Sequence, residues 1–286
     1  MSFQIETAFV KQWNTTLFHN VQQKGSRLRP CVREEGLKGE ESYYDSIGTT
    51  TAIEVQNRHG DSPLISTPHG RRKVTPTDFE WGDMVDNEDK LKMLIDPASA
   101  YAQSAVWAFG RKIDDLIINA GFGTAYTGKD GATAVTLPNS QVVPVGAASL
   151  TIAKLLNAKE ILDAADVDPD EERYIALSAK QVTTLLNTTE VKSSDYNTVK
   201  ALAEGKLDTF MGFKFIRTQR LPVDGSNYRR VLCWAKSGIL LAMPKDITTR
   251  MAERSDKRFN MYAYACMSGG ATRMEEEKVV EIPCTE

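Results

Sequence analysis

The sequence predicts an α+β fold in which one long helix divides irregular, β-flavoured sequence from a compact alternation of helices and strands. Three observations carry this reading. Residues 97–120 place Tyr101, Ala105, Ala108/Phe109, Ile113, Leu116/Ile117 and Ala120 at three- and four-residue spacing. Residues 45–81 instead alternate apolar and polar positions around a Gly- and Pro-rich, basic middle. Residues 150–235 then switch repeatedly between the two periods, which marks a mixed helix–strand domain.

Taken in order, residues 3–23 carry Phe3, Phe9/Val10, Trp13, Leu17 and Val21 on one stripe, an amphipathic helix that needs a surface to lie on. After Gly25, SRLRPCVREEGLKGEE reads as an extended arm or linker without packing of its own. Between Asp45 and Trp81, the runs around Ile53/Val55 and Phe79/Trp81 describe a long two-stranded excursion, with Arg58–Lys73 as its polar, basic tip. A lone hairpin is marginally stable, so its cover is expected to come from another subunit. The acidic segment GDMVDNEDKLKML leads into the long helix. Asp96 can cap that helix, Pro97 suits its first position, and Gly121 and Gly123 supply the stop. At about 24 residues and roughly 36 Å, it is about twice the usual length.

Beyond it, Thr124–Gly146 is turn-rich, with β-prone pieces at Ala134–Leu137 and Gln141–Val145. Helices are expected at Leu150–Ala165 (inner stripe Leu150, Ala153, Leu156, Ile161/Leu162, Ala165), Gln181–Leu186 and Asp195–Ala203. Strands are expected at Tyr174–Ser178, Phe213–Thr218, Arg230–Ala235, Asp246–Arg254, Met261–Met267 and Lys278–Ile282, the last three separated by SDKRFN and SGGATRMEEE.

A chain of 286 residues can bury a sizeable core. Its formal charge of −3 gives no global pull towards nucleic acid or anionic membrane. The opening MSFQIETAFVKQW lacks a basic segment followed by an apolar run, so no secretory signal is expected. The best apolar run, Gly238–Met243, is far too short to span a bilayer. Cys31, Cys233, Cys266 and Cys284 are widely scattered, which favours reduced thiols in an intracellular setting.

Signals for catalysis are weak. Gly123–Asp130, GTAYTGKD, satisfies G-x-x-x-x-G-K but has Asp130 where Ser or Thr would hold magnesium, and a helix ends into it rather than opening from it. Asp166, Asp168 and Asp170 have the spacing that opens a calcium loop, but Glu171 replaces the central glycine and Leu177 the closing glutamate. His19, His59 and His69 occur without a zinc pattern or a serine elbow. No catalytic residue, cofactor or metal is therefore expected. The candidate interaction residues are Arg27, Arg29 and Arg33 in the arm, and Arg58, Arg71, Arg72 and Lys73 in the hairpin. They are either a solvated surface or charge partners for Asp83–Asp89 or Asp166–Glu172 on another copy.

Arm helix, hairpin, spine helix, α/β domain and closing strands occur in an order that resembles one family. QQKGSRLRPCV, RKIDDLIINAGFG, ERYIALSAKQVTTLL, MGFKFIRTQRLP and GATRMEEEKVVEIPC are similar to stretches of the major capsid proteins of tailed bacteriophages, which have the Hong Kong 97-type fold. The resemblance covers about residues 5 to 284. It implies an N-terminal arm (1–40), an extended loop over a neighbour (41–82), a peripheral domain with the spine helix (83–123 and 246–286) and an axial domain (124–245). It also implies self-assembly through hexamers and pentamers into an icosahedral shell around double-stranded DNA. A scaffolding protein and a portal would be partners during assembly in the host bacterial cytoplasm. Contact with packaged DNA would be non-specific, and no membrane would be involved. An encapsulin-like compartment shell and, from another class, a cytosolic α/β enzyme with a phosphate-binding loop are the alternatives.

Overall fold

The computed structural model describes residues 22–54, 57, 62, 64–85, 98–146, 148–187 and 209–286. The helix expected over residues 3–23 (but for Gln22 and Gln23), the helix at Asp195–Ala203 and the caps Asp96 and Pro97 lie outside them. The chain forms two compact units. The smaller takes the described residues of Met1–Ser26, Asp78–Arg111 and Lys245–Met267; the larger takes those of Arg27–Thr77, Lys112–Pro244 and Ser268–Glu286.

The long helix, α1, runs Ala98–Phe122. Its stop is Gly123, whose N–H donates to the Asn119 carbonyl at 2.7 Å. Gly121 still lies within the helix, and a Cβ there would stand 2.7 Å from the Leu232 side chain. Within the smaller unit, α1 passes so close to the segment before Ser26 that a Cβ on Gly110 would lie 2.5 Å from the Gly25 Cα. Arg111 anchors that crossing by donating to Gln22 Oε1 and the Gln23 carbonyl.

The larger unit is built on a mixed five-stranded sheet. Its members are β7 (Arg173–Leu177), β8 (Thr209–Phe210), β9 (Phe213–Arg217), β10 (Tyr228–Ala235) and β13 (Val279–Thr285), in the order β13-β10-β7-β9-β8. β7 is buried throughout, as is β10 from Val231 to Ala235, as expected of strands covered on both faces. Two helices accompany the sheet, α2 (Ile152–Ala164) and α3 (Ala179–Asn187). In α2 the buried stripe is Leu155, Ala158 and Leu162, while Leu156 is exposed, so the expected inner face is rotated by one residue. The rotation brings Lys154 inside, where its ammonium donates to the Ala148 and Pro283 carbonyls. Because β13 pairs with β10, the end of the chain belongs to this sheet.

The stretch from Ser26 to Glu41 is also packed, which corrects the expectation of an unpacked arm. Leu28, Cys31, Val32 and Leu37 are buried. A 3-10 turn at Arg29–Cys31 leads to β1 (Arg33–Glu35), which lies parallel to the start of β11 (Ile239–Arg254). The Asp114 carboxylate of α1 accepts the backbone N–H groups of Arg27 and Leu28 at 3.1 and 3.0 Å. Trp234 Nε1 donates to the Cys31 carbonyl.

The closing strands are longer than expected. β11 begins in the apolar Gly238–Met243 run, and β12 (Asn260–Arg273) continues through SGGATR. Gly269 and Gly270 are close approaches rather than breaks: a Cβ on Gly270 would meet the Thr75 carbonyl oxygen at 2.7 Å. β4 (Thr77–Val85) completes a sheet of order β1-β11-β12-β4. Arg258 and Phe259, with φ of 53° and 60°, turn β11 into β12.

Asp114 is fully buried and satisfies two backbone donors far away in sequence. Asp114→Ala is expected to cost about 2–4 kcal/mol in urea unfolding of the subunit, with Asp114→Asn recovering part of it.

Candidate inter-subunit surface

The third sheet, in the order β2-β3-β5-β6, carries the hairpin. Its strands are β2 (Ser42–Ile47), β3 (His69–Val74), β5 (Ala125–Thr127) and β6 (Thr133–Val135). The register sets Tyr43 opposite Lys73, Tyr44 opposite Arg72, Asp45 opposite Arg71 and Ile47 opposite His69. Strand alternation therefore gives the sheet two unlike faces.

The inner face is anchored. Val74 joins a buried cluster of Leu37, Leu240, Ala242 and Met274, with Tyr44 packed against it. Arg72 donates from Nε to the Met274 carbonyl at 2.9 Å and pairs with Glu276 at 2.5 Å. The outer face is exposed and carries Tyr43, Ile47 and Tyr126. Arg71 lies among them, bonded through both Nε and Nη2 to Asp45. Lys73 pairs with Glu41. These cations hold the carboxyls of Asp45 and Glu41 below the usual carboxylate range, mainly through the side-chain hydrogen bonds. An open pocket of about 460 Å³ lies at the same place, bounded by Asp45, His69, Arg71, Thr127 and Lys129.

Beyond the strands, the chain makes an excursion closed at its base by the Gly48 N–H donating to the Pro68 carbonyl. Its described residues are not paired as strands, which corrects the expected strand around Ile53. Ile53 is 56% exposed and Leu64 98% exposed, so the excursion carries large apolar side chains in water.

The seven candidate basic residues fall on two segments. Arg71, Arg72 and Lys73 stand in β3, at the base of the hairpin and not at its tip; Arg58 lies outside the described residues. In the other segment, Arg27 donates to the Arg217 carbonyl, Arg29 pairs with Glu34 and Arg33 with Glu35. Each of the six described cations thus has a partner inside the subunit. Sequence reasoning missed the apolar members of this surface, Tyr43, Ile47, Leu64 and Tyr126. The signal was present in SYYDSI, which alternates over β2, and in a Leu-Ile pair between two prolines.

The loop GTAYTGKD forms the β5–β6 hairpin, with Gly128 and Gly131 at positive φ and Lys129 and Asp130 in the turn. A strand here enters another strand and not a helix, so no phosphate cradle forms. Asp168 accepts the Asp170 N–H in an exposed turn. Among the described residues, no three acidic, His or Cys side chains converge on a metal position, and no helix is long and apolar enough to cross a membrane.

A family model described as "Phage capsid protein" matches residues 5–286. No curated protein sequence matches the chain. Solved structures do match it along nearly its whole length. The capsid structure of the cyanophage P-SCSP1u superposes with a TM-score of 0.74 at 13% identity, covering 100% of this chain and 96% of that one. A structure from Mycobacterium phage Che8 gives 0.73 at 15% identity, with 96% and 97% covered. The capsid asymmetric unit of cyanophage Pam1 gives 0.73 at 16% identity, with 99% and 98% covered.

The Asp45 and Glu41 pKa values are depressed in the folded chain, so their ties to Arg71 and Lys73 are fully present above the ordinary carboxyl range and lost as pH falls below it. Hydrogen-exchange protection of β2 and β3, corrected for intrinsic rate, should hold down to about pH 4 and then fall. Protection unchanged to about pH 2 would show that these ties do not hold the hairpin.

Proposed function

The chain belongs to the phage capsid protein family and is a virion capsid component with the Hong Kong 97-type fold; from that premise we propose that it self-assembles through hexamers and pentamers into an icosahedral shell enclosing double-stranded DNA. The observation that supports the assembly role best is the hairpin, which is anchored firmly on one face while its outer face and excursion expose Ile47, Ile53, Leu64 and Ile65. Covering such side chains contributes roughly 2 kcal/mol each, and a neighbouring copy is the cover that recurs at every position of a shell.

In this reading residues 1–40 are the arm and 41–82 the loop that reaches a neighbour. Residues 83–123 and 246–286 make the peripheral domain, except that β13 goes with the axial sheet of 124–245 because it pairs with β10. Arg33 and Arg71 keep 51% and 39% of their side chains exposed beside their internal partners, leaving surface for an acidic neighbour. The exposed turn of Asp168 and Asp170 is the complementary candidate on another copy. A scaffolding protein and a portal are the expected partners during assembly in the host bacterial cytoplasm. With a net charge of −3, contact with packaged DNA is local and non-specific. We assign the protein no catalytic role and no cofactor.

Because Gly48 and Pro68 are already hydrogen-bonded, residues 49–67 can be replaced by a short Gly-rich turn without disturbing β2 or β3. The variant should remain a soluble, folded subunit by circular dichroism yet form no closed shells in sedimentation. Wild-type assembly by this variant would remove the excursion from the assembly interface.

A further inference from the structure

The four cysteines are free and chemically unalike. Burial among apolar groups pushes the thiols of Cys31 and Cys284 up to about 11, and that of fully buried Cys233 higher still. Thiols of this kind are poor nucleophiles at neutral pH. Cys266 has different surroundings. It sits on β12 in the smaller unit, between β11 and β4.

From β11, the exposed Lys245 places its Nζ 2.9 Å from the Cys266 Sγ. From β4, Glu80 accepts a hydrogen bond from the Tyr264 hydroxyl at 2.9 Å, and Tyr264 stands two positions from Cys266 on the same strand. The Lys245 ammonium holds the thiol below its ordinary range, with a smaller favourable contact from Tyr264; partial burial and the Glu80 charge oppose this. Cys266 keeps 8% of its surface open. The Cys266 sulfur thus stands in direct contact with a primary amine of the adjacent strand, an arrangement that favours the thiolate.

We infer that Lys245 and Cys266 form a peroxide-responsive cross-linking site that joins β11 to β12 through a sulfenamide bond. The Cys266 thiolate attacks one oxygen of hydrogen peroxide. The O–O bond breaks, sulfur loses two electrons to become the sulfenic acid, and the departing hydroxide takes a proton from the Lys245 ammonium to give water. The free amine then attacks the same sulfur. An S–N bond forms, the S–O bond breaks, and the second hydroxide leaves with the remaining proton as another water. In sum, thiolate, ammonium and peroxide become a sulfenamide and two waters. Sulfenamides reopen with excess thiol, so the bond is a reversible rung across the long hairpin.

The test uses the full chain treated with dilute hydrogen peroxide near neutral pH, digested and read by mass spectrometry. Wild type should give a Lys245–Cys266 linked peptide, lighter than the two reduced peptides by two hydrogens and reversed by dithiothreitol. Cys266 should also react with iodoacetamide about tenfold faster or more than Cys31. In Lys245→Arg, which keeps the positive charge but lacks the primary amine, Cys266 should still oxidise to the sulfenic acid while the linked peptide disappears. Circular dichroism of that variant checks that the hairpin is intact. Alkylation of Cys266 no faster than Cys31 would overturn the inference. So would sulfenic and higher acids accumulating in wild type without any linked peptide.

Discussion

The larger unit depends on one buried cation. Arg273, at the end of β12, is fully buried and donates to the carbonyls of Gly121, Gly123 and Val135. Two of these are carbonyls at the C-terminal end of α1, where a positive group meets the negative end of the helix dipole. Burial lowers the Arg273 pKa, as expected when a charge leaves water, and Glu276 opposes that effect. The Arg273 Nε and Glu276 Oε1 lie 3.5 Å apart, an ionic contact too long for a hydrogen bond. A buried charge is tolerated only when its geometry is nearly satisfied, so the helix end, β6 and β12 must meet at this point. Glu276 also holds Arg72, which fixes the base of the hairpin to the same junction.

That junction explains how a subunit can carry an apolar excursion. The hairpin is held at its root by Arg72 and the Val74 cluster, and along its outer face by the ties of Asp45 to Arg71 and Glu41 to Lys73. A root ordered before docking lowers the entropy lost when the free part meets a partner. In the proposed assembly, the internal pairing of these cations preorganises the root of the hairpin before a neighbour docks. Single exposed ion pairs would contribute little to stability on their own.

How much could be read beforehand followed the range of the forces involved. α1 was legible because its period persists over 25 residues and a glycine stops it. The buried strands β7 and β10 were legible because apolar runs need no partner to be recognised. Residues 27–37 were not, since Leu28, Val32 and Leu37 have no regular spacing, and their anchor, Asp114, lies 86 positions beyond Leu28. Gly269 and Gly270 looked like a break because the atoms that stand against them, the Met243 sulfur and the Thr75 carbonyl oxygen, are distant in sequence. The α2 face was misjudged by one residue because Lys154 is satisfied by carbonyls that no local pattern reveals. At the candidate surface, charge was visible in the sequence, whereas the exposure of Ile47 and Leu64 depended on strand register and on where pairing ends.

The central claim is that the exposed hairpin exists to be covered by another copy. Electron cryomicroscopy of the full chain, expressed alone and with a scaffolding partner, tests this most directly. The account predicts closed icosahedral shells in which Ile47, Leu64 and Ile65 lie against a neighbouring subunit. Monodisperse monomers under every condition, or shells in which those three side chains still face solvent, would contradict it.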